Sequence, residues 1–561
     1  MLFSCKSRVN NDEPDSKARI RDSIQAVKDK AYNYSRVYAA GMIRNVFEVR
    51  NSRNLFETDG TELYSTVFLP GVYTENAFYP LWMNHYDSVR LVDEMIDFIG
   101  QSQFHGFNPD DYHFRELKKV RHESEQNTQL FFEPDYITRL DILLTDAFLA
   151  LAYHMYYGKT DAGKLDTIWG IPRDKNKIDF AEQLRDVLKG GSIAEGFKRF
   201  YSPYPGYEAM VEEAKRLTGK IEEDFTVNVE LSHSIKPGDS TNAMALIKSK
   251  LAFLQFYEPD SLFNPLLYDE KTVAAVKKLQ QVFGFNTDGV IGKHTLQALN
   301  MPVKKKIEQL YVNMERLRWL PDSLEPTYIM VNIAAYNMQV IQGKDTLISM
   351  RTIVGKDARK TPVFHSRLSY LVFSPYWHVP PTIQKKDIIP AVSKDIGYLN
   401  QKQMMVYDSK GKAVDPATVN WKKHGMNYSI KQKPGAHNSL GRVKFMFPNK
   451  YNIYLHDTPS RSLFAREQRT FSSGCIRVEK PFDLAELLLS DFPEWNADKI
   501  KSAMNAGSEK TVVLKKKIGV YIYYFTAWGT STGEIHYRSD IYDRDNSILK
   551  SLKNKTLKWN I

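Results

Sequence analysis

The sequence predicts a multidomain α+β protein: a mostly helical N-terminal scaffold, a small helical bundle, and a β-rich C-terminal domain with an insertion. Three observations predict it. The chain has 561 residues, enough for roughly three to four domains of about 150 residues each. Up to about residue 235, apolar residues recur at three- and four-residue steps, the period of a helix face. Beyond Pro321 the pattern turns to alternation with β-branched residues, the period of strands. Composition agrees. Hydrophobic residues make up 42% and charged residues 25%, ordinary for a globular chain, and 32 Tyr with 30 Phe argue against long disordered regions.

The elements follow in order. Residues 1–20 are polar and charged and read as a tether. Its first residues, Met-Leu-Phe-Ser-Cys, are similar to a bacterial lipobox ending at Cys5, which predicts a lipid anchor there. The apolar core that should precede it is absent, so an incidental cysteine is the other reading. Residues 21–235 form the predicted scaffold, with helices over Tyr79–Gly100 and Tyr136–Gly158. His105 and His154 each stand alone there and read as ordinary structural histidines. Lys236–Gly238 marks a turn. Residues 239–302 form the bundle, with Val276, Leu279 and Phe283 on one helix face and a tight turn at Asp288-Gly289.

The stretch Gly-Val-Ile-Gly-Lys-His-Thr within it is no phosphate loop. Thr287 stands where the first glycine is needed, His294 follows the lysine, and helices flank the motif. The β domain spans 326–535, interrupted by a polar, loop-rich insertion at 384–434 that carries Trp421. An insertion that long points to function. The segment from Thr511 to Trp528 reads as two more strands, and 536–561 as a tail.

Net charge is +11, which suits anionic partners. The short runs Lys304–Lys306 and Lys515–Lys517 read as solvated faces, and no nucleic-acid signature appears. No stretch of 18 apolar residues exists, which excludes a transmembrane helix in this sequence.

Chemistry concentrates at Phe471–Pro481, which holds one of only two cysteines. A thiol with its free pKa of about 8.5 is mostly protonated at neutral pH, and the thiolate is the nucleophile. His456 ends an apolar strand 19 residues before Cys475; an imidazole so placed can take the thiol proton and return it to a leaving amine. Gly474 lets backbone approach a substrate. The N–H groups of Gly474 and Cys475 can face a developing oxyanion. Arg477 can favour the thiolate or hold a carboxylate, and Ser472 and Ser473 can donate hydrogen bonds. A buried, inert cysteine is the competing reading. Zinc fits poorly, because one Cys and one His make half a site.

His456 followed by Ser473-Gly474-Cys475-Ile476-Arg477-Val478 resembles the active-site signature of L,D-transpeptidases. Ser472-Ser473 stand where Thr/Ser-His is usual, a departure that resembles the large scaffold-bearing members of Gram-negative bacteria. Pro434–Pro459 is similar to another block of that family. Asp288, Gly289, Gly292, Thr295, Ala298 and Leu299 resemble the pattern of small peptidoglycan-binding modules.

The resemblance implies a cysteine nucleophile, His456 as base and acid, and a backbone carbonyl, with Asp457 the candidate, orienting the imidazole. A side-chain role for Asp457 is the alternative. Tyr454, Trp421, Ser473 and Arg477 are the implied substrate-binding residues, and 384–434 resembles a capping subdomain. The implied partners are peptidoglycan stem peptides, a donor tetrapeptide and an acceptor amine, in the periplasm or cell envelope; no metal or organic cofactor is implied. An L,D-carboxypeptidase using the same thiol and a non-catalytic wall-binding scaffold remain the competing functions.

Overall fold

The computed structural model describes residues 13–49, 56–165, 169–171, 178–230, 233–259 and 264–554. Cys5 lies outside the described residues. Helix begins at Glu13 and runs unbroken to Glu48, so the expected tether is helical from that residue onward.

The scaffold wraps around Pro134–Tyr157, a helix buried on nearly every face. This explains why its sequence is apolar all round rather than striped. Its own polar residues are spent on neighbours. Asp141 accepts from the N–H groups of Leu81 and Trp82 at 2.8 Å each, and Asp146 accepts from the Tyr64 N–H at 2.8 Å and from His113 at 2.6 Å. His105 and His154 hydrogen-bond Tyr207 and Tyr112, each at 3.0 Å. Burial pushes both imidazoles down to about 3.

The bundle contains Glu270–Phe283 and Lys293–Leu299. Its motif residues hold the turn between them. Gly289 has φ +75°, Asp288 accepts from the Gln280 amide at 3.0 Å, and Thr295 donates to the Val290 carbonyl at 3.2 Å.

One helix joins all parts. Val303–Arg318 is buried along most of its length, including Lys306 from the run read as solvated. Lys306 lies over the Phe283 ring, and burial pushes its amine down to about 8. Lys515–Lys517, in contrast, are exposed, at a register shift in the long strand Lys510–Tyr523. That segment is therefore one bulged strand followed by the short Ala527–Gly529.

The residues read as a tail are also folded as far as they are described, to Asn554. Ile535–Tyr537 pairs with Ala527–Gly529, and Asp545–Lys553 is a helix docked on Val303–Arg318 through Ile548 and Leu552. Arg316 pairs with Asp545 at 2.6 Å.

The catalytic sheet curls on itself. Val443–Met446 pairs with Leu455–His456 on one side and with Val363–Phe373 on the other, which closes the strand path. A scaffold segment, Trp169–Gly170, adds to Val363–Phe373 in parallel. The insertion is not the loop-rich stretch its polarity suggested. It has a four-stranded sheet that begins with Trp377–His378 and its own apolar core, including Ile388, Leu399, Val406 and Ile430.

Candidate active site

His456 and Cys475 sit on neighbouring elements. Leu455–His456 pairs in parallel with Ile476–Val478, and the register sets His456 beside Arg477. Cys475 directly precedes that strand, beside Tyr454, whose carbonyl accepts the Ile476 N–H at 3.2 Å. Side chains two apart share a sheet face, so Tyr454 and His456 line up, with ring centroids 5.7 Å apart.

The imidazole is fixed by backbone. His456 Nδ1 donates to the Asp457 carbonyl at 2.6 Å, and the Leu440 carbonyl also faces the ring. That tautomer leaves Nε2 as the basic nitrogen. The Asp457 carboxylate is occupied elsewhere, accepting from the Arg442 N–H at 2.9 Å and pairing with Arg461 at 3.2 Å. Gly441, φ +63°, makes room for it; a Cβ there would lie 2.4 Å from that carboxyl group. Burial, then the nearby Arg477 charge, pushes His456 down to about 3.

Cys475 Sγ hydrogen-bonds the Asn452 carbonyl at 3.7 Å. Burial pushes it up to about 11, opposed by the backbone and hydroxyl of Tyr454 and by Arg477. Among the described residues no hydrogen bond joins Sγ to the imidazole. At neutral pH the resting pair is thus a neutral thiol and a neutral imidazole.

The loop around Cys475 is tied down residue by residue. Gly474 has φ +115°, a conformation that side chains disfavour. Its N–H donates to Ser472 Oγ at 3.1 Å, and Ser472 Oγ donates to the Cys475 carbonyl at 2.5 Å. The Gly474 N–H expected to face an oxyanion is therefore spent inside the loop. The Cys475 N–H has no acceptor among the described residues and is left available as a donor.

Ser473 accepts from Arg359 Nη1 at 2.7 Å, and the same guanidinium reaches Asp387 of the insertion at 2.6 Å. Thr361 Oγ1 donates to the Gly474 carbonyl at 2.8 Å, and the Lys356 N–H to the Ser472 carbonyl at 3.0 Å. Behind that bracket stands the C-terminal segment: Tyr542 Oη donates to the Gly355 carbonyl at 2.5 Å, and Arg544 to the Thr361 carbonyl at 3.1 Å.

Of the residues singled out from sequence, Cys475, His456, Asp457, Tyr454, Gly474, Ser473 and Arg477 converge here. Trp421 does not. Its ring is in the core of the insertion, and its indole N–H donates to the Pro416 carbonyl at 2.9 Å. Arg359, Thr361, Asn452 and Leu440 were not foreseen. Asn452, with φ +56°, has a weak signal in its Asn-rich turn; the others reach the site through folding alone. A cavity of about 830 Å³ between bundle and β domain, lined by Phe283, His294, Tyr336 and Tyr537, does not include the thiol.

Residues 326–514 match the model of the L,D-transpeptidase catalytic domain, so the β-rich domain belongs to that family of catalytic domains. Residues 240–299 match the "Putative peptidoglycan binding domain" and residues 68–213 the Scaffold domain.

A protein of Haemophilus influenzae (strain ATCC 51907 / DSM 11121 / KW20 / Rd), named "Putative L,D-transpeptidase", is 35% identical over 263 residues, 46% of this chain. The chain spans about half the length of that relative, 53%. Among solved structures it is similar to an L,D-transpeptidase from Mycobacterium smegmatis, at 13% identity and a TM-score of 0.19 over 36% of this chain and 61% of that one. Another, from Stackebrandtia nassauensis, has 13% identity and a TM-score of 0.19 over 55% of this chain and 98% of the other.

Proposed function

We propose that this chain is a peptidoglycan L,D-transpeptidase that forms 3→3 cross-links through a cysteine thioester in the periplasmic cell envelope. The observation that carries the reading is the pairing of a backbone-oriented His456 with Cys475 on adjacent parallel segments, beneath a folded insertion. Cys475 attacks the carbonyl between the third stem residue, a diaminopimelate, and D-Ala at position four. His456 Nε2 takes the thiol proton as the donor stem brings the two groups together, since such contacts tighten when substrate is bound. The oxyanion receives the Cys475 N–H. D-Ala leaves with the proton from His456, and the thioester is attacked by the side-chain amine of a neighbouring stem. Tyr454 holds the sulfur, and the insertion covers the donor.

Purified chain incubated with tetrapeptide muropeptides tests this. A 3→3 dimer with release of D-Ala is expected. Tripeptide monomer alone would identify a carboxypeptidase, and no product would leave a wall-binding scaffold. Intact mass after carbapenem treatment is expected to show one adduct, absent in Cys475→Ala; an adduct on that variant would overturn the assignment of the nucleophile.

A further inference from the structure

The first helix, Glu13–Glu48, has two apolar faces, and among the described residues only one is covered. Tyr32, Ala39 and Ile43 are buried on the scaffold. A second stripe, Ile20, Ile24, Val27, Ala31, Tyr34 and Tyr38, follows alternating four- and three-residue steps, which puts it on a single side of the helix. Apart from Ala31, also exposed, its members are between 52% and 69% exposed. Tyr34 and Tyr38 stand together, with hydroxyls 2.7 Å apart.

Charge is sorted around this stripe. At 100° per residue, Arg21 and Lys28 flank one side of it and Arg19 and Lys30 the other. Lys28 lies over the Tyr86 ring. Asp22 and Asp29 fall on the far side, where Asp29 pairs with His85 at 2.8 Å. Apolar residues and tyrosines bordered by cations form the pattern of a helix that lies in a membrane interface, where amphipathic aromatic rings sit at headgroup level. A second copy fits poorly, because the flanks of two such helices are basic in either orientation and offer no counter-charge. No described helix is long and apolar enough to cross a membrane, so this contact would lie on the surface.

We propose that the exposed stripe of this helix docks on an anionic lipid surface, with the apolar residues at the acyl boundary and Arg19, Arg21, Lys28 and Lys30 on the headgroups. The proposal does not depend on the chemistry assigned to Cys475.

Co-sedimentation of the full chain with vesicles tests it. Binding is expected to phosphatidylcholine vesicles containing phosphatidylglycerol, and not to phosphatidylcholine alone, and it should weaken as salt rises. The double variants Ile24→Glu/Val27→Glu and Lys28→Glu/Lys30→Glu are each expected to lose about tenfold in partitioning, with unchanged circular dichroism. No binding, equal binding to both vesicle types, or unchanged binding of either variant overturns the proposal. So does a dimer seen by sedimentation velocity that Ile24→Glu dissolves, because a second copy would then cover the stripe.

Discussion

Cys475 and His456 rest in their neutral forms because the packing around them removes much of their water. Burial raises the thiol to about 11 and lowers the imidazole to about 3, since desolvation disfavours whichever form is charged. A stable thiolate–imidazolium pair would reverse both shifts. The prediction is that iodoacetamide alkylation of Cys475 in the free enzyme climbs with pH through the neutral range, with no plateau below about pH 9. A plateau between pH 6 and 7 would show instead a preformed ion pair. Tyr454→Phe should slow alkylation further, because it removes a donor that favours the thiolate.

At the scale of elements, the loop around Cys475 is held from outside by the bracket Lys356–Thr361. Arg359 is its only side chain that touches both the loop, at Ser473, and the insertion, at Asp387. Arg359→Ala is expected to lower the carbapenem acylation rate by about tenfold to a hundredfold, the scale of a misplacement near 1 Å, while the melting temperature shifts little. Arg359→Lys keeps the charge but loses the planar fork, so it should recover only part of the rate. Equal rates for all three proteins would refute a positioning role. Ser473 stands where the family resemblance expects a histidine, and here it accepts from Arg359 and so fastens the loop.

Across the whole molecule, the helix Val303–Arg318 locks the scaffold to the catalytic domain through charge. Glu315 and Arg318 are fully buried and pair at 2.9 Å. Glu315 accepts from the Thr160 N–H at 2.6 Å, and Arg318 donates to the His105 carbonyl at 2.7 Å and to Tyr207 at 2.8 Å. Removing one partner strands the other charge without water. Arg318→Ala should therefore cost about 3–5 kcal/mol, read as a lower urea midpoint, whereas exchanging both residues for methionine should cost less.

Acid acts on the whole molecule too. His105, His154 and His456 are held near 3 in the fold, against about 6.5 unfolded. The unfolded chain therefore binds more protons in that window. Stability should be complete above pH 6.5 and fall progressively toward pH 3, as measured by urea midpoints across that range.

The sequence by itself determined the order of the domains and drew attention to Cys475 and His456. These depend on local rules: helix and strand periods, a glycine beside a cysteine, an imidazole at a strand end. Helical apolar spacing is local, so Pro134–Tyr157 was legible as a helix, though not that every face of it is buried. The polarity of residues 384–434 hid a folded core, because short strands bury only alternate residues; Trp421, expected to bind substrate, belongs to that core instead. Lys306 read as solvated because its neighbours are, but its helix turns it under Phe283. Only tertiary structure decided that Gly474 spends its N–H on Ser472, that Arg359 reaches the loop around Cys475 from 114 residues away, and that the C-terminal segment braces that bracket. These contacts join residues far apart in the chain, and nothing in local propensity records which distant partner a polar group will meet once it leaves water.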